Sequence, residues 1–340
     1  MKKKSLNVKK INHRLKDQHI NSIFKNFEKV LDKKKKYLVA VSGGPDSLAL
    51  AYLTKKFAKK YKTKFYYCLI NHRLRTESSN EAQTVVKILE KIKIKCKILH
   101  WNGKKPVSNI QSIARFKRYL LLVNESNKIG VENIVLGHHN DDTNENFFIR
   151  LTRGSGLKGL VSFKEKSVNF NKNFYRPLLN FDKNQLIYIS KSIFKNYIND
   201  PSNKDDKFKR TRIRNLIEKF EEEGLDKKKL KLTLNNLRES NEALEFYSNQ
   251  NIKDNSNFNK KKNSIILNNQ FFSQPNEVIF RSMTSLILKL NKNYYPPRGK
   301  NIVRLLDELK TRKNVKNQTL GGCIFKKVNE TIIISREIDK

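Results

Sequence analysis

A glycine-containing loop is the first segment whose residue types suggest chemistry. It follows Tyr37–Val41 (YLVAV), which has the pattern of a buried strand, and it reads Ser42-Gly43-Gly44-Pro45-Asp46-Ser47 before a helix predicted to run to Phe57. Two glycines let the backbone turn tightly and approach a ligand closely. The free N–H groups and the positive end of the helix would then face an anion. The string is neither a Walker A loop nor a GxGxxG fingerprint. The simpler alternative is an ordinary turn with Ser and Asp capping.

A second segment combines carboxylates with histidines and carries no Lys or Arg. The residues from Ile129 to Ile149 include Glu132, Asp141, Asp142 and Glu145, a local charge of −4 in a chain of +40. Carboxylate oxygens suit Mg²⁺, and they would also attract a cationic amine. His138 and His139 end a predicted strand and are candidates for hydrogen bonding or proton transfer. The alternatives are helix capping by Asp141 or Asp142 and a buried structural histidine.

Basic residues that could contact phosphate groups recur after the predicted strands. On a helix predicted over residues 108–127, Arg115 and Arg118 share one face, with Phe116 and Leu120 expected to pack inward. Arg210, Arg212 and Arg214 would share a face only on an extended segment, where they could contact phosphates. The remaining candidates are Arg73 and Arg75 after the second strand, Arg150, Arg153 and Lys158 in a Gly-rich stretch, and Arg176. For each of these residues the alternative is a solvated loop or helix face.

Strands and helices alternate along the first half of the chain, and this order must position these residues. Strands are predicted at residues 37–41, 64–70, 95–100 and 132–137, each followed by a helical pattern. Such alternation predicts right-handed βαβ units and an α/β fold with a doubly wound parallel sheet. Ligands in such folds bind beyond the carboxyl ends of the strands. The loop at Ser42–Ser47 and the acidic segment should therefore meet at one edge.

Composition favours a cytoplasmic protein with a polyanionic partner. The 340 residues carry 72 Lys+Arg against 32 Asp+Glu, which points to nucleic acid. Lys outnumbers Arg 55 to 17, so codon bias in an AT-rich genome is an alternative source of the charge. No apolar run reaches the roughly 18 residues of a membrane span, and no secretory signal follows Lys2–Lys4. Three separated cysteines form neither a disulfide framework nor a CxxC pair.

The order of these strings resembles one enzyme family. After the loop at Ser42–Ser47 come NHRLR (71–75), ARFKRY (114–119), LGHHNDDTNEN (136–146), RLTRGSGLKGL (150–160), RPLL (176–179), DPSN (200–203) and RTRIR (210–214). Together they look like the tRNA(Ile)-lysidine synthases of the ATP pyrophosphatase (PP-loop) superfamily, over about residues 37–215. YPPR (295–298) and TLGGC (319–323) look like the C-terminal part of some bacterial members. The family usually has Gln, Thr and Asn where this chain has Thr143, Asn146 and Thr211.

The resemblance implies a two-step reaction. ATP adenylates C2 of the cytidine at the first anticodon position of tRNA(Ile) with a CAU anticodon, and the ε-amine of free L-lysine then displaces AMP. Residues 42–47 would bind ATP, Asp46 with Asp141 or Asp142 would position Mg²⁺, and Arg115 would lie near the α-phosphate or the base. A carboxylate of the acidic segment would bind or deprotonate the lysine amine. His138 completes the catalytic candidates. The residues that would contact tRNA are Arg73, Arg75, Arg150, Arg153, Lys158, Arg176, Arg210, Arg212 and Arg214.

Three parts of the chain are predicted. Residues 1–215 form the catalytic domain, 216–263 a helical segment and linker in which Asn251–Asn263 is the polar linker, and 264–340 a small α+β domain that contacts tRNA. A homodimer is one of the oligomeric states considered. The competing functions are a tRNA thiolase, which commonly needs paired cysteines, a synthetase with a glutaminase partner, and an RNA-binding module with an inactive ATP site.

Overall fold

The chain forms two compact units, Met1–Leu230 and Lys231–Lys340. The computed structural model describes residues 18–73, 76–103, 110–198, 207, 209–259, 263–291 and 296–337. The division falls within one long helix, after the catalytic domain predicted to end at residue 215. Two segments named in the sequence analysis, Arg75 and the turn at Asp200–Asn203, lie outside the described residues.

The first unit is an α/β fold, as predicted, built on a six-stranded sheet. Its strands are β1 Tyr37–Val41, β2 Phe65–Asn71, β3 Cys96–His100, β4 Asn133–Val135, β5 Lys166–Asn169 and β6 Lys172–Tyr175. The strand order is β3-β2-β1-β4-β6-β5, parallel except for the β5–β6 hairpin. The chain moves outward from β1 through β2 to β3 and then returns to the other side of β1 at β4. A switch point therefore lies between the ends of β1 and β4, where ligands bind in such sheets.

Helices cover both faces of this sheet. They are α1 Gln18–Phe27, α2 Pro45–Tyr61, α3 Ser78–Glu90, α4 Ile110–Lys128, α5 Asn140–Leu151, the short α6 Leu157–Leu160, α7 Lys183–Phe194 and α8 Lys209–Glu222. Alternate residues of β1 enter different cores, as the two-residue period of a strand requires. Tyr37, Val39 and Val41 join residues of α1, α2, α3 and α7, whereas Leu38 joins residues of α4.

One local prediction in this unit is wrong, and one alternative is decided. Phe116 is 42% exposed, because α4 buries Tyr119, Leu122 and Val123 instead. Residues 209–222 form helix α8 rather than an extended segment, with Ile213 and Ile217 buried four residues apart. Arg212 therefore cannot share a face with Arg210 and Arg214.

The second unit packs helices on an antiparallel sheet of order β7-β8-β11-β10-β9. Its elements are α9 Lys227–Asn255, β7 Ser256–Asn259, β8 Ser264–Leu267, a 3-10 turn Asn269–Phe272, α10 Asn276–Asn291, α11 Gly299–Thr311, β9 Val315–Leu320, β10 Cys323–Val328 and β11 Thr331–Arg336. Residues of α10, α11 and the strands share one apolar core. The predicted linker at Asn251–Asn263 is wrong, because α9 continues to Asn255 and a strand follows. In the described part of the chain, no helix is both long and apolar enough to cross a membrane.

Candidate active site

The loop between β1 and α2 is held by one serine hydroxyl. Ser47 Oγ accepts hydrogen bonds from the N–H groups of Ser42 and Gly43, each at 3.1 Å, and donates to Gly44 O at 3.0 Å. Gly44 precedes α2 without a side-chain cap, and Pro45 occupies its first turn. The positive end of α2 is thus left open toward the loop, an arrangement suited to a phosphate group.

Gly43 has a conformation and surroundings that only glycine fits. Its φ is +86°, and a Cβ there would overlap Val85 and lie 3.2 Å from Ile198 Cγ1. The carbonyl of Gly43 also accepts a hydrogen bond from the N–H of Ile198 at 2.9 Å. The first glycine of the loop is therefore fixed by its backbone and by two apolar neighbours.

A second glycine brings the acidic segment against this loop. Gly137 follows β4, and a Cβ at this position would lie 3.3 Å from Ser47 Cα. The backbone of the LGHHNDD string can therefore pass directly beside the first turn of α2. The fold therefore brings the two strings together at one edge of the sheet, as predicted.

His139 joins the two strings through both ring nitrogens. Its Nδ1 accepts a hydrogen bond from the N–H of Asp141 at 3.3 Å, so the neutral ring carries its proton on Nε2. Nε2 lies 3.5 Å from Asp46 Oδ2 and 3.7 Å from Asp142 Oδ2. The imidazole thus points its N–H between two carboxylates from different strings. From the sequence, both histidines are candidates for hydrogen bonding or proton transfer, and His138 is the one predicted to be catalytic.

Asp46 and Asp142 differ in the surroundings of their carboxylates. Burial raises the pKa of Asp46, helped by Asp142 and Asp141 and opposed by His139 and Lys183. Burial would also raise the pKa of Asp142, but His138, His139 and the N–H of His139 hold it below its ordinary value. Asp142 Oδ2 accepts that N–H at 3.0 Å and completes a capping box at the start of α5. Asp142 therefore caps the helix, whereas Asp46 Oδ1 is buried without a described hydrogen-bond partner.

His138 occupies an apolar and positively charged position. Its ring packs edge-on against Phe163 at 5.1 Å, and its buried Nδ1 has no hydrogen-bond partner among the described residues. Burial lowers the pKa of His138 to about 3, with Asp142 acting in the opposite direction and Arg176 and Arg210 in the same one. At neutral pH this imidazole is therefore uncharged and is too weak a base to take up a proton.

The shifted His138 makes the stability depend on pH. Its folded-state pKa of about 3 lies below the ordinary value of 6.5, so between these values the unfolded chain binds more protons. Stability from this residue is thus fully present above about pH 6.5 and is lost as the pH falls, by up to ~1.4 kcal/mol per pH unit. We expect His138→Gln to flatten the loss of unfolding free energy between pH 6.5 and 4, measured by chemical denaturation. The exposed His100→Gln variant should keep the wild-type slope, and equal slopes in all three proteins would contradict the prediction.

Arginines from two helices surround this histidine pair. Arg115 donates to Tyr119 Oη at 3.4 Å and lies over the same ring. Arg115 and Arg210 lie close enough to Arg118 and His138 to lower the pKa of both, and Arg210 also helps to lower the pKa of Asp142. Within the described chain, Arg115, Arg118 and Arg210 have no carboxylate at ion-pair distance. Unpaired guanidinium groups beside a phosphate-binding loop suit an anionic ligand.

Glu145 and Arg214 form a buried ion pair at the α5–α8 contact. Arg214 Nε donates to Glu145 Oε1, and the Glu145 side chain is 4% exposed. Burial raises the pKa of Glu145, although Arg214 opposes the shift. Glu145 Oε2 is left without a described partner, as are both amide atoms of Asn144. Arg214, predicted to contact tRNA phosphates, has an internal partner instead.

Five other residues that are predicted to contact RNA are exposed or half-buried. Arg153 and Lys158 are exposed after α5, and Arg150 is half-buried in its last turn. Arg73 is exposed and donates to Asn102 Oδ1 at 3.1 Å. Arg212 is exposed and donates to Lys207 O at 3.0 Å. These residues remain candidates for tRNA contact.

Arg176 is predicted to contact tRNA, but the structure buries its side chain. It is 5% exposed, its Nη1 donates to Lys164 O and Ser167 Oγ at 2.9 Å, and its guanidinium covers the Phe163 ring. We expect Arg176→Ala to lower the free energy of unfolding by about 3 kcal/mol, because two bonds from a charged donor are lost. Arg153→Ala, at an exposed position, should leave stability unchanged. Equal stability of the two variants in denaturant titrations would show that Arg176 is not structural.

No group of three or more His, Cys, Asp and Glu side chains in the described ranges is arranged to hold a metal ion by itself. Mg²⁺ is commonly bound by one or two carboxylates and by substrate phosphates, so a site shared with a nucleotide needs fewer protein ligands. The unpartnered Asp46 Oδ1 fits such a site, and Asp141 lies close enough to contribute to the raised pKa of Asp46.

The cysteines are not arranged as a pair. Cys96 lies opposite Tyr67 in the β2–β3 register, and Cys68 lies opposite Lys97, so the two thiols point to different faces of the sheet. Burial raises the pKa of Cys96 to about 12 and raises that of Cys68 further. Neither thiol has the lowered pKa of a reactive cysteine.

Comparison with known proteins places this geometry in context. Residues 12–220 match the model of the PP-loop domain. The tRNA(Ile)-lysidine synthase of Wolbachia pipientis wMel is 34% identical over 301 residues, covering 88% of this chain and 70% of that protein. The enzyme of the same name from Orientia tsutsugamushi (strain Boryong) is 44% identical over 187 residues, covering 55% of this chain and 42% of that protein.

A solved structure shares the fold. The U34-tRNA thiolase NcsA from Methanococcus maripaludis, with its [4Fe-4S] cluster, has a TM-score of 0.54 and 20% identity over 62% of this chain and 75% of that chain. At this identity the likeness describes the fold alone.

Proposed function

This chain belongs to the tRNA(Ile)-lysidine synthases of the PP-loop family, and from that membership we propose the reaction that its site performs. The enzyme uses ATP to ligate free L-lysine to C2 of the cytidine at the first anticodon position of tRNA(Ile) with a CAU anticodon. AMP and pyrophosphate are released, and lysidine is the product. The observation that carries the proposal is the meeting of Ser42–Ser47 with the acidic segment through His139.

In the first step the loop at Ser42–Ser47 receives the β- and γ-phosphates of ATP. The open positive end of α2 and the N–H groups of Ser42 and Gly43, now held by Ser47 Oγ, are the donors on this side. Arg115, with Arg118 and Arg210 beside it, provides positive charge for the α-phosphate and the cytidine. Positioned charges of this kind stabilise the charge that develops as the C2 oxygen attacks the α-phosphorus.

Asp46 and Asp141 are the residues that would hold Mg²⁺. When bound, the ion would neutralise negative charge on the phosphates. His139 positions Asp46 by directing its Nε2–H toward the carboxylate. Lys183, which acts on the pKa of Asp46, supplies further positive charge near this residue.

In the second step the lysine ε-amine must lose its proton before it attacks C2. Asp141, Asp142 and Glu145 are the nearby carboxylates, and their environments differ. Asp142 is occupied as a helix cap and Glu145 is paired with Arg214, whereas Asp141 is half-buried at the start of α5. The geometry leaves Asp141 and the unpartnered Oε2 of Glu145 as the groups available to the amine.

The tRNA surface in this proposal consists of exposed and half-buried basic residues of the first unit, together with residues of the second unit. Arg73, Arg150, Arg153, Lys158, Arg210 and Arg212 contribute from the first unit; Arg75 belongs to the same prediction. Phosphate contacts of this kind position the RNA, and the pocket then selects the base. A cytoplasmic location follows from a tRNA substrate. A homodimer stays a prediction.

A tRNA thiolase is the nearest alternative among enzymes of this fold. It is disfavoured here because Cys68 and Cys96 occupy opposite faces of the sheet. An RNA-binding module with an inactive ATP site is disfavoured because the loop at Ser42–Ser47 and both aspartates of the Asp141–Asp142 pair are present.

The proposal is tested by incorporation of labelled lysine into tRNA in the presence of ATP. We expect incorporation into tRNA(Ile) with a CAU anticodon and loss of incorporation when its first anticodon base is changed. Pyrophosphate release that depends on tRNA but not on lysine would assign the first step. Absence of tRNA-dependent pyrophosphate release would reject the enzyme, and release without lysine incorporation would reject lysine as the nucleophile.

A further inference from the structure

A cavity lies at the sheet edge opposite the active site. Strand β2 begins at Phe65, but the first of its residues to pair with β3 is Tyr67, which lies opposite Cys96. Phe65 and Tyr66 therefore extend past the start of β3. This offset leaves a notch of about 460 Å³ beside the free edge of the sheet. The notch is lined by β2 as far as Cys68, and the three further residues of β2, at about 3.3 Å each, separate it from the carboxyl edge by roughly 10 Å. The notch is therefore not part of the ATP site.

The walls of the notch combine lysines with aromatic rings. Lys55, Lys93, Lys95 and Lys97 line it together with Phe65, Tyr66 and Tyr67. Lys97 is paired with the buried Glu125 at 2.8 Å, and Lys55 donates to Lys93 O at 3.1 Å. Lys93 and Lys95 are exposed and have no carboxylate at ion-pair distance within the described chain. Tyr66 is half-buried, with Lys64 Nζ 5.4 Å from its ring centre.

Lysines continue from the notch along the same edge. The exposed or half-exposed members are Lys33, Lys34, Lys35, Lys36, Lys59, Lys60, Lys62, Lys64, Lys91 and Lys128. Lysines at helix C-termini are favoured by the helix dipole, which accounts for Lys59, Lys60 and Lys128. It does not account for Lys33–Lys36, Lys93 or Lys95, which lie in loops. The opposite edge differs in composition, because residues 136–149 after β4 contain no Lys or Arg and the basic side chains near the active site are mainly arginines.

We propose that the notch binds an unpaired nucleotide of an RNA strand whose backbone follows the adjacent lysines. A basic groove combined with an aromatic ring is the arrangement by which proteins bind single-stranded nucleic acid without base specificity. The notch has the volume of a small-ligand pocket, and its basic surroundings extend well beyond one nucleotide. A free mononucleotide would leave those lysines unused. RNA is therefore the polyanion that the whole surface fits.

The charge contribution is tested with a fluorescent single-stranded RNA octamer and fluorescence anisotropy at several salt concentrations. The variant Lys93→Gln/Lys95→Gln removes two unpaired charges while keeping the side-chain length. We expect weaker binding and a slope of log K against log salt that is smaller by about 1.4, at roughly 0.7 per lost phosphate contact. Lys219→Gln/Lys228→Gln, with the same change of charge at exposed positions of α8 and α9 in the first unit, is the matched control. Equal changes in both double variants would overturn the proposal.

The aromatic contribution is tested separately at Tyr66. Tyr66→Leu should weaken octamer binding by about tenfold without changing the salt slope, because stacking is lost and the charges remain. Tyr66→Phe should retain binding and shows that the fold tolerates a change at this position. Tyr247→Leu, at a tyrosine that is 56% exposed on α9, should have no effect. Octamer binding unchanged in Tyr66→Leu would overturn the nucleotide site.

Two further measurements separate the notch from the active site and from a mononucleotide site. Lysine incorporation at saturating tRNA should keep its kcat and its KM for lysine in Lys93→Gln/Lys95→Gln, because the notch is distant from the loop at Ser42–Ser47. AMP should not displace the octamer at concentrations near the octamer's Kd. Displacement by AMP at such concentrations would assign the notch to a free nucleotide and overturn the RNA assignment.

Discussion

Replacing Asp46 by asparagine is expected to lower tRNA-dependent pyrophosphate release by about 10³-fold, because it removes the carboxylate that would hold Mg²⁺ beside the phosphates. The amide of the substituted side chain keeps its size and polarity, so the loop can retain its shape. What is lost is the negative charge that, in the proposed mechanism, holds Mg²⁺ against the phosphates of ATP. The defect should appear in the adenylation step and therefore before lysine is needed.

The same substitution should not destabilise the fold. Burial raises the pKa of Asp46, and Asp142 and Asp141 raise it further, so keeping this carboxylate ionised at neutral pH costs folding free energy. A neutral amide removes that cost, and we expect the free energy of unfolding of Asp46→Asn to equal or exceed that of the wild type. Loss of activity with unchanged or higher stability is the signature of a residue retained for function.

The test measures pyrophosphate release and chemical denaturation on the same preparations. Asp226→Asn is the matched control, since Asp226 is exposed and caps the start of α9 by accepting the N–H of Lys228. It should retain full activity. Near-normal pyrophosphate release by Asp46→Asn would remove Asp46 from the catalytic site, and a large drop in its stability would attribute the defect to folding.

The position of the site could be predicted from sequence because it depends on strand order and on two glycines. Once β1 and β4 are recognised as buried parallel strands, the residues that follow them must emerge at one edge. Gly137 lets the backbone after β4 pass beside the first turn of α2. For the arginines at 210, 212 and 214 the sequence leaves a helix and an extended segment open, and the buried pair Ile213 and Ile217, four residues apart, is the signal that favours the helix.

Other features had no local signal. Arg176 precedes Pro177 in a string shared with the family, and its burial depends on the β5–β6 hairpin and on Phe163, which no periodicity describes. The continuation of α9 past residue 250 was hidden because its buried face is polar, with Asn241, Ser248 and Asn251 among its buried residues. Asn251 Nδ2, for example, donates to Phe271 O and Ser282 Oγ. A hydrophobic pattern cannot reveal a helix whose contacts are hydrogen bonds.

The sequence does not distinguish the surroundings of His138 from those of His139 for a related reason. The two adjacent residues are chemically identical, and only the backbone at the start of α5 determines which ring faces Asp46. His139 has the extended conformation of a residue that precedes a helix, which directs its ring toward the two carboxylates. His138 is turned toward Phe163 instead. Side-chain direction at a helix start is set by capping geometry, and a single sequence does not specify it.

Substitution of Gly43 by alanine should abolish ATP-dependent activity and also reduce stability. The residue has a φ of +86°, and an added Cβ would overlap Val85 and press on Ile198. A left-handed conformation costs a non-glycine residue about 1–2 kcal/mol, and the overlap adds to this cost. Relief of the overlap requires the loop to move, and the N–H of Gly43 would then leave Ser47 Oγ. We expect at least 10²-fold slower pyrophosphate release, because displaced donors no longer face the phosphates.

Gly44→Ala is the control that separates the two uses of glycine in this loop. Gly44 has a φ of −70°, and a Cβ there would meet only Ser42 Oγ, at 3.9 Å. Alanine at this position should therefore leave the free energy of unfolding unchanged, and any effect on activity must come from the bound nucleotide. If the backbone at Gly44 lies against a phosphate, Gly44→Ala should raise the KM for ATP with little change in stability. Wild-type stability of Gly43→Ala would contradict the strain argument, because both the backbone conformation and the contact with Val85 would then be dispensable.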